Sequence, residues 1–302
     1  MKNNNFTIQN ALIENIISLY GDAGIKWVNN LPKFISQYEN EWGFKAGDFF
    51  SDAQFNVVMC VMQNNGIPAV FKCCVPNKEF KTEVLSLQRY NGDGVVKCLK
   101  SDIENGALLL ERILPGQMLE LLPDVELATQ YAIEVCNKLH KPIEDTKPFP
   151  TLDDWFLGFD RLYKKFDGTS GSFSKKMVEK ATSLSHELLS SQSKLVLLHG
   201  DLHYANLILN KNEYTAIDPK GIIGEPEFEI PLPRVTNPIS KKELLYRLDC
   251  LIDKSQFDQK RIYSWLFCKA MLAAWWTVED SGSVSEFTNR FLHVVEIMHE
   301  LV

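Results

Sequence analysis

Apolar and polar positions change period several times along this chain, and each change marks an element. Over residues 7–20, Leu12, Ile13, Ile16, Ile17 and Tyr20 recur at helical spacing, and a second helix is expected around Gly24 to Tyr38. The stretch FFSDAQFNVVMCVMQNNGIPAVFKCCVP then turns to β-branched and aromatic runs split by Asn64-Asn65-Gly66. That pattern predicts strand, turn, strand, the second strand ending near Lys72. NKEFKTEVLSLQRYNG follows, with Phe80, Val84, Leu87 and Tyr90 on one helical face. Asn91-Gly92 closes this helix, since both residues tolerate the left-handed backbone of a helix end. VVKCLKSD and GALLLERI read as two more strands around an acidic turn with Asn105-Gly106. A five-stranded sheet with one helix is thus expected by about residue 114, and Pro115-Gly116 reads as a joint.

Beyond the joint the periodicity is mostly helical, over 123–140, 152–166 and 174–190, the last two separated by DGTSGS. The exception is 195–218, where strand-like LVLL, LILN and YTAI enclose a polar stretch. A connection carrying Pro219, Pro226, Pro231, Pro233 and Pro238 leads back to helices that continue to the C-terminus. The expected class is α+β: residues 1–114 as a small antiparallel β-sheet lobe with leading helices, and 115–302 as a larger, mainly helical lobe.

Composition narrows the function. With 302 residues, 45% hydrophobic and 24% charged, the chain is long enough and apolar enough to bury a core. A formal net charge of -7 argues against a general nucleic-acid binder, which needs cations for phosphates. No run approaches the roughly 20 apolar residues of a membrane span, and the polar N-terminus does not read as a signal peptide. Seven scattered cysteines without a CxxC pair suit reduced thiols. A cytoplasmic protein, acting on neither membrane nor nucleic acid, is expected.

The chemistry is concentrated in LHGDLHYANLIL, residues 198–209. His199, Asp201 and His203 form an HxDxH set that zinc could use, but catalytic zinc needs a third well-placed donor and an open position. A second pattern overlaps it. Asp201 and Asn206 have the D-x-x-x-x-N spacing of a kinase catalytic loop, with His199 two residues before the aspartate and Gly200 where that loop carries arginine. LILN-KNE-YTAI then reads as a hairpin that would bring Asp218 back towards Asn206. Their oxygens suit magnesium on nucleotide phosphates, and Asp201 is left to accept the proton of an attacking hydroxyl. Singly, such residues usually cap or turn the chain; their combination with strands fixing the spacing points to a catalytic loop.

Two upstream features fit the same chemistry. Lys72 ends the strand AVFK, after a hairpin and before a helix carrying Glu83, the place of the kinase lysine and its glutamate partner; Glu79 is a rival partner. No GxGxxG is present, so GDFFSDAQFN (47–56) would have to cover the phosphates. The strand LLLERI would then be the hinge, its backbone near Glu111 to Ile113 receiving adenine.

HGDLHYANLIL followed by AIDPKGIIGEPEFEI strongly resembles the aminoglycoside phosphotransferases, within them the streptomycin kinase branch of aminoglycoside and hydroxyurea resistance kinases. GALLLERILPG (106–116) and AAWWTVEDSG (273–282) are similar to that branch too. HGDxxxxN marks only the superfamily; the DPKGxxGEPE tract is more specific. The resemblance implies a protein-kinase-like, two-lobed fold that uses ATP and Mg2+ to phosphorylate a hydroxyl of a small molecule. It implies Asp201 as base, Asn206 and Asp218 as magnesium ligands and Lys72 on the phosphates. Lys220, beside Asp218, would either reach a phosphate or fix the loop. The Lys-, Asn- and Ile-rich background and EIPLPRVTNP depart from the family pattern, which bears on the acceptor more than on phosphoryl transfer.

For the acceptor side, Glu225, Glu227 and Glu229 after Asp218, and Glu279-Asp280 after the tryptophan pair, are acids that would attract a cationic substrate, or simply form a solvated acidic surface. Trp275 and Trp276 could stack on a ligand, but Met271, Leu272 and Val278 around them favour core positions. Two further readings share these residues: a kinase for a sugar or amino alcohol, and a nucleotide-binding regulator without catalysis.

Overall fold

The computed structural model describes residues 10–50, 55–143, 146–234 and 239–302. The chain divides into two compact units, Met1–Leu114 and Pro115–Val302. In the first, helices α1 (Asn10–Tyr20) and α2 (Asp22–Trp42) precede strands β1 (Phe44–Phe49), β2 (Val57–Gln63) and β3 (Pro68–Cys73). Helix α3 (Lys78–Tyr90), β4 (Cys98–Asp102) and β5 (Ala107–Glu111) complete it. The sheet is antiparallel in the order β1-β2-β3-β5-β4. Helix α2 is longer at both ends than its apolar spacing suggests, and tolerates Pro32 within it. It stops at Gly43, whose left-handed backbone (φ 72°) returns its N–H to Glu39. Strand alternation sorts the faces: Ala69, Phe71 and Cys73 of β3 join Val57, Met59, Leu31, Ile35 and Tyr38 in one apolar core under α1 and α2. Val70 and Lys72 therefore point to the other face. Residues 51–54 of the expected phosphate-covering hairpin lie outside the described residues; the flanking β1 and β2 pair with a bulge between Ala46 and Phe49.

The second unit opens on β6 (Pro115–Met118), so the Pro-Gly joint is itself a short strand. Next come α4 (Val125–Leu139), β7 (Lys141–Pro142), α5 (Leu152–Phe156), α6 (Gly158–Lys165), α7 (Lys175–Ser190) and β8 (Val196–Leu198). Strands β9 (Leu207–Asn210), β10 (Glu213–Ala216) and β11 (Ile222–Gly224) lead to helices α8 (Lys241–Ser255), α9 (Gln259–Ser281) and α10 (Glu286–His299). The helix expected over 152–166 breaks after Phe156. At the start of α6, a Cβ on Gly158 would meet Leu272 Cδ1 at 2.5 Å, so any larger residue there would have to push the Leu272 side chain of α9 aside. Two three-stranded sheets form, β10-β9-β6 and β11-β8-β7. Helix α9 is the centre of the core: Trp265, Phe267, Met271 and Trp275 are all buried. All seven cysteines are free thiols. Among the described residues no helix is long and apolar enough to cross a membrane.

Candidate active site

In the first unit, Lys72 and Glu83 meet. Lys72 Nζ lies 2.7 Å from Glu83 Oε1, and both side chains are almost wholly buried. Strand β3 aims the lysine away from the α2 side of the sheet, and α3, capped by the Asn77 side chain on Phe80 N–H, carries Glu83 to it. Glu79, the rival partner, is exposed on the first turn of α3. At the end of β5 the N–H of Glu111 bonds Lys97 O at 3.0 Å, and its carboxylate accepts the N–H of Lys97 at 2.7 Å. Ile113 follows, buried.

In the second unit, β8 delivers His199 to the core and Asp201 to the surface. His199 is fully buried; its Nε2 faces the carbonyl of Ile217 at 2.8 Å, and its Nδ1 accepts the N–H of Asp201 at 3.2 Å. A carbonyl can only accept and an amide only donate, so the ring is the tautomer with its proton on Nε2. The His199 carbonyl in turn accepts the N–H groups of Lys220 (2.8 Å) and Gly221 (3.2 Å). One imidazole and its carbonyl thus staple the Asp201 loop to the Asp218 loop. Both ring nitrogens are used, so His199 cannot ligate zinc. Among the described residues no group of three or more His, Cys, Asp or Glu is arranged to hold a metal.

Gly200 turns the chain with φ +85°, and a Cβ there would stand 3.2 Å from both Ile222 and Trp155 and 3.3 Å from Lys220. The turn leaves the Asp201 side chain 44% exposed, with His203 Nε2 3.9 Å from its Oδ1. Burial lowers the His203 pKa, opposed by the charge of Asp201. Asn206 closes the loop: its Nδ2 donates to Asp201 O at 3.0 Å, which turns its Oδ1 the other way. The β9–β10 hairpin pairs Leu207 with Ala216, and Ile217 N–H bonds Asn206 O at 2.9 Å. Asp218 comes next, exposed and in the left-handed region at φ 57°. An amide oxygen and a carboxylate on neighbouring backbones suit a hard cation whose shell is completed by waters and phosphates.

Two buried side chains support the loop: Glu229, which the sequence offered as an acceptor-side acid, and Arg247, which it did not single out. Glu229, with no exposed surface, accepts the N–H of Gly200 through Oε2 at 3.1 Å, while its Oε1 has no partner among the described residues. Arg247 of α8 donates to the hydroxyls of Tyr204 (2.7 Å) and Thr129 (2.8 Å), and Tyr204 opens the turn that ends on Asn206.

Two of the acceptor-side candidates, Glu225 and Trp275, need correction. Glu225 is 2% exposed; its carboxylate pairs with Arg261 at 2.6 Å and takes the Trp265 indole N–H, so it is a core ion pair and not a surface acid. Trp275 is 1% exposed and packs against Phe166. Glu279 is exposed but engaged bidentately by Arg161, at 2.7 and 3.1 Å. Glu227 is half-buried, and burial raises its pKa.

Residues 47–281 match the family model for aminoglycoside/hydroxyurea antibiotic resistance kinases. The chain belongs to that family. It is accordingly a phosphotransferase with a hydroxyl acceptor. It is 27% identical to a hydroxyurea phosphotransferase of Kitasatospora aureofaciens, over 95% of this chain and 84% of that protein. It is 24% identical to a streptomycin 6-kinase of Streptomyces griseus, over 90% of this chain and 91% of that one. The choline kinase LicA from Streptococcus pneumoniae has a similar structure, with a TM-score of 0.62 at 14% identity, covering 90% of this chain and 99% of LicA. The fold is that of the protein-kinase-like enzymes, an antiparallel-sheet N-terminal lobe followed by a mainly helical C-terminal lobe.

Proposed function

We propose that this family member transfers the γ-phosphoryl group of ATP to a hydroxyl of an aminoglycoside-type, streptomycin-like acceptor, with Asp201 as general base. The observation that carries the reading is the His199 staple, which fixes Asp201, Asn206 and Asp218 on adjoining backbones. Asp201 accepts the proton of the attacking hydroxyl; its partial exposure leaves room for that group. Asn206 and Asp218 would hold magnesium, which when bound supplies positive charge against the charge developing on the transferring group. Lys72, oriented by Glu83, contacts the nucleotide phosphates. Lys220 reaches a phosphate or holds the loop through its backbone. Adenine is received by the backbone of Glu111 and Ile113; with the Glu111 amide bonded to Lys97, its carbonyl is the group offered.

Hydroxyurea is a second acceptor, favoured by the 27% identity to the Kitasatospora enzyme over nearly the whole chain. The protein acts inside the cytoplasm in this reading. The test is a panel of acceptors with labelled ATP: streptomycin, hydroxyurea, sugars and amino alcohols. Label in streptomycin or hydroxyurea supports the proposal; label only in a sugar or amino alcohol makes it a metabolite kinase; ATP binding without any transfer makes it a regulator. Asp201→Ala should abolish transfer while ATP still binds, and retained turnover would exclude Asp201 as the base.

A further inference from the structure

Of the tryptophans on the second unit's helices, Trp265 and Trp275 vanish into the core, but Trp155 and Trp276 do not. Trp155, on α5, places its Cη2 3.2 Å from the point where Gly200 would carry a Cβ. Its ring therefore lies against the residue that precedes Asp201. Trp276, from α9, stands edge-on to Trp155 at 5.3 Å between centroids and 85° between planes. Trp155 is held from behind by Phe228, also edge-on, at 6.1 Å and 71°. Beside Trp276 and Gly158, the Arg161 guanidinium is matched by the carboxylate of Glu279. Two braced indoles from separate helices thus stay partly open, Trp155 next to the residue that precedes the candidate base and Trp276 against Trp155.

We propose that Trp155 and Trp276 form an aromatic subsite that stacks the flat N–C–N group of the acceptor, a urea or a guanidinium, and so presents the adjacent hydroxyl to Asp201. The inference rests on the phosphotransfer reading above and names the acceptor chemistry that reading leaves open. Urea and guanidinium are both planar and delocalised, and guanidinium is weakly hydrated, so each stacks on an indole face at small desolvation cost. An indole wall accepts the neutral and the charged form alike, which a carboxylate pocket would not. That suits a chain related both to a hydroxyurea phosphotransferase and to streptomycin kinases, since streptomycin carries guanidino groups.

The test uses the full chain and two readouts. Trp155→Leu and Trp276→Leu should each raise KM for streptomycin and for hydroxyurea about tenfold, as loss of ~1.4 kcal/mol of stacking implies, with the Phe variants recovering most of it. Binding of a fluorescent ATP analogue should stay within about twofold, which also reports that the variants fold. Independently of turnover, streptomycin and hydroxyurea should quench tryptophan fluorescence in the wild type and not in the double Leu variant. An effect on one acceptor alone identifies which of urea or guanidinium is the group stacked. Unchanged KM and unchanged quenching in both Leu variants overturn the subsite while leaving phosphotransfer intact. Quenching that depends on both tryptophans, without transfer to either compound, keeps the subsite and overturns the proposed acceptors. Absence of both quenching and transfer in the wild type overturns both.

Discussion

Glu229 Oε2 accepts the N–H of Gly200 at 3.1 Å, both groups out of contact with solvent and 29 residues apart in sequence. The bond fixes the φ +85° turn that lifts Asp201 to the surface, and the partner's own carbonyl is engaged by the Cys136 thiol. Removing the carboxylate leaves a buried N–H without an acceptor, at a cost of ~1–3 kcal/mol. Glu229→Ala should therefore lose about that much stability in urea denaturation and lower kcat at least ~tenfold, because the turn is freed. Glu229→Gln keeps an acceptor oxygen and should retain most of both. A variant in which Ala and Gln behave alike would show that the bond to Gly200 does not position the loop.

The Lys72–Glu83 pair is buried on both sides, so truncating one partner strands the other charge. Breaking such a pair costs roughly 3–5 kcal/mol, whereas removing both partners costs much less. Lys72→Met and Glu83→Leu should each lower the melting temperature, and the double variant should recover part of that loss. Activity should not recover: KM for ATP is expected to rise at least ~tenfold in Lys72→Met and in the double variant. Calorimetry beside initial rates separates the two effects. A double variant as active as wild type would show that Lys72 has no part in phosphate contact.

What could be read in advance was local. The Lys72–Glu83 contact follows from two periods, two along β3 and 3.6 along α3, over eleven residues. The approach of Asn206 to Asp218 follows from a two-residue hairpin turn, since Asn210 pairs with Glu213. The supports behind these groups were not legible. Glu225 and Glu229 look like surface acids until Arg261, 36 residues later, and Gly200, 29 residues earlier, take their oxygens. Neither separation leaves a trace in periodicity. The strands β6 and β11 were missed for a simpler reason: three or four residues are too few to display an alternation, and Pro115-Gly116 carries turn chemistry. Trp275 and Trp276 are neighbours, yet one is core and the other half-open; a 100° step on α9 decides it, and only the position of Trp155 shows which way the helix faces.

His140 gives the fold a pH dependence of known sign. Burial pushes its imidazole from 6.5 down to about 4, partly opposed by the charge of Glu229. Its ring lies between Cys136 Sγ, 3.6 Å from Nε2, and Phe257, 6.1 Å between centroids. Between pH 6.5 and about 4 the unfolded chain therefore binds a proton that the folded chain refuses, and stability falls as pH falls across that window. Burial lowers the pKa of His203 as well, which acts in the same direction. Urea midpoints measured at pH 7, 6 and 5 should decline for the wild type, and the decline should be shallower in His140→Gln. Equal slopes in the two proteins would mean that His140 is protonated in the fold.

Arg247 tests whether Asn206, the proposed magnesium ligand, is positioned from behind. Its guanidinium is buried, donates to the hydroxyls of Tyr204 and Thr129, and is balanced by Glu243 Oε1 at 2.7 Å. It also lies 5.0 Å from the centre of the Tyr204 ring. Tyr204 begins the three-residue turn that Asn206 ends, so rotation of the tyrosine carries Asn206 with it. Tyr204→Phe deletes one acceptor of a buried cation, a loss of ~1–3 kcal/mol. Arg247→Met leaves two hydroxyls that can bond each other, so the double variant should be only slightly less stable than Arg247→Met, with a coupling energy of ~0.5–3 kcal/mol between the two sites. A role confined to packing would appear in the melting temperature alone. If the pair sets the asparagine, both single variants also need several-fold more Mg2+ for half-maximal rate, while KM for the acceptor is little changed. Titrating Mg2+ at fixed ATP, below the unfolding temperature of each variant, reads that shift directly, and an unshifted half-point would confine Arg247 to the core.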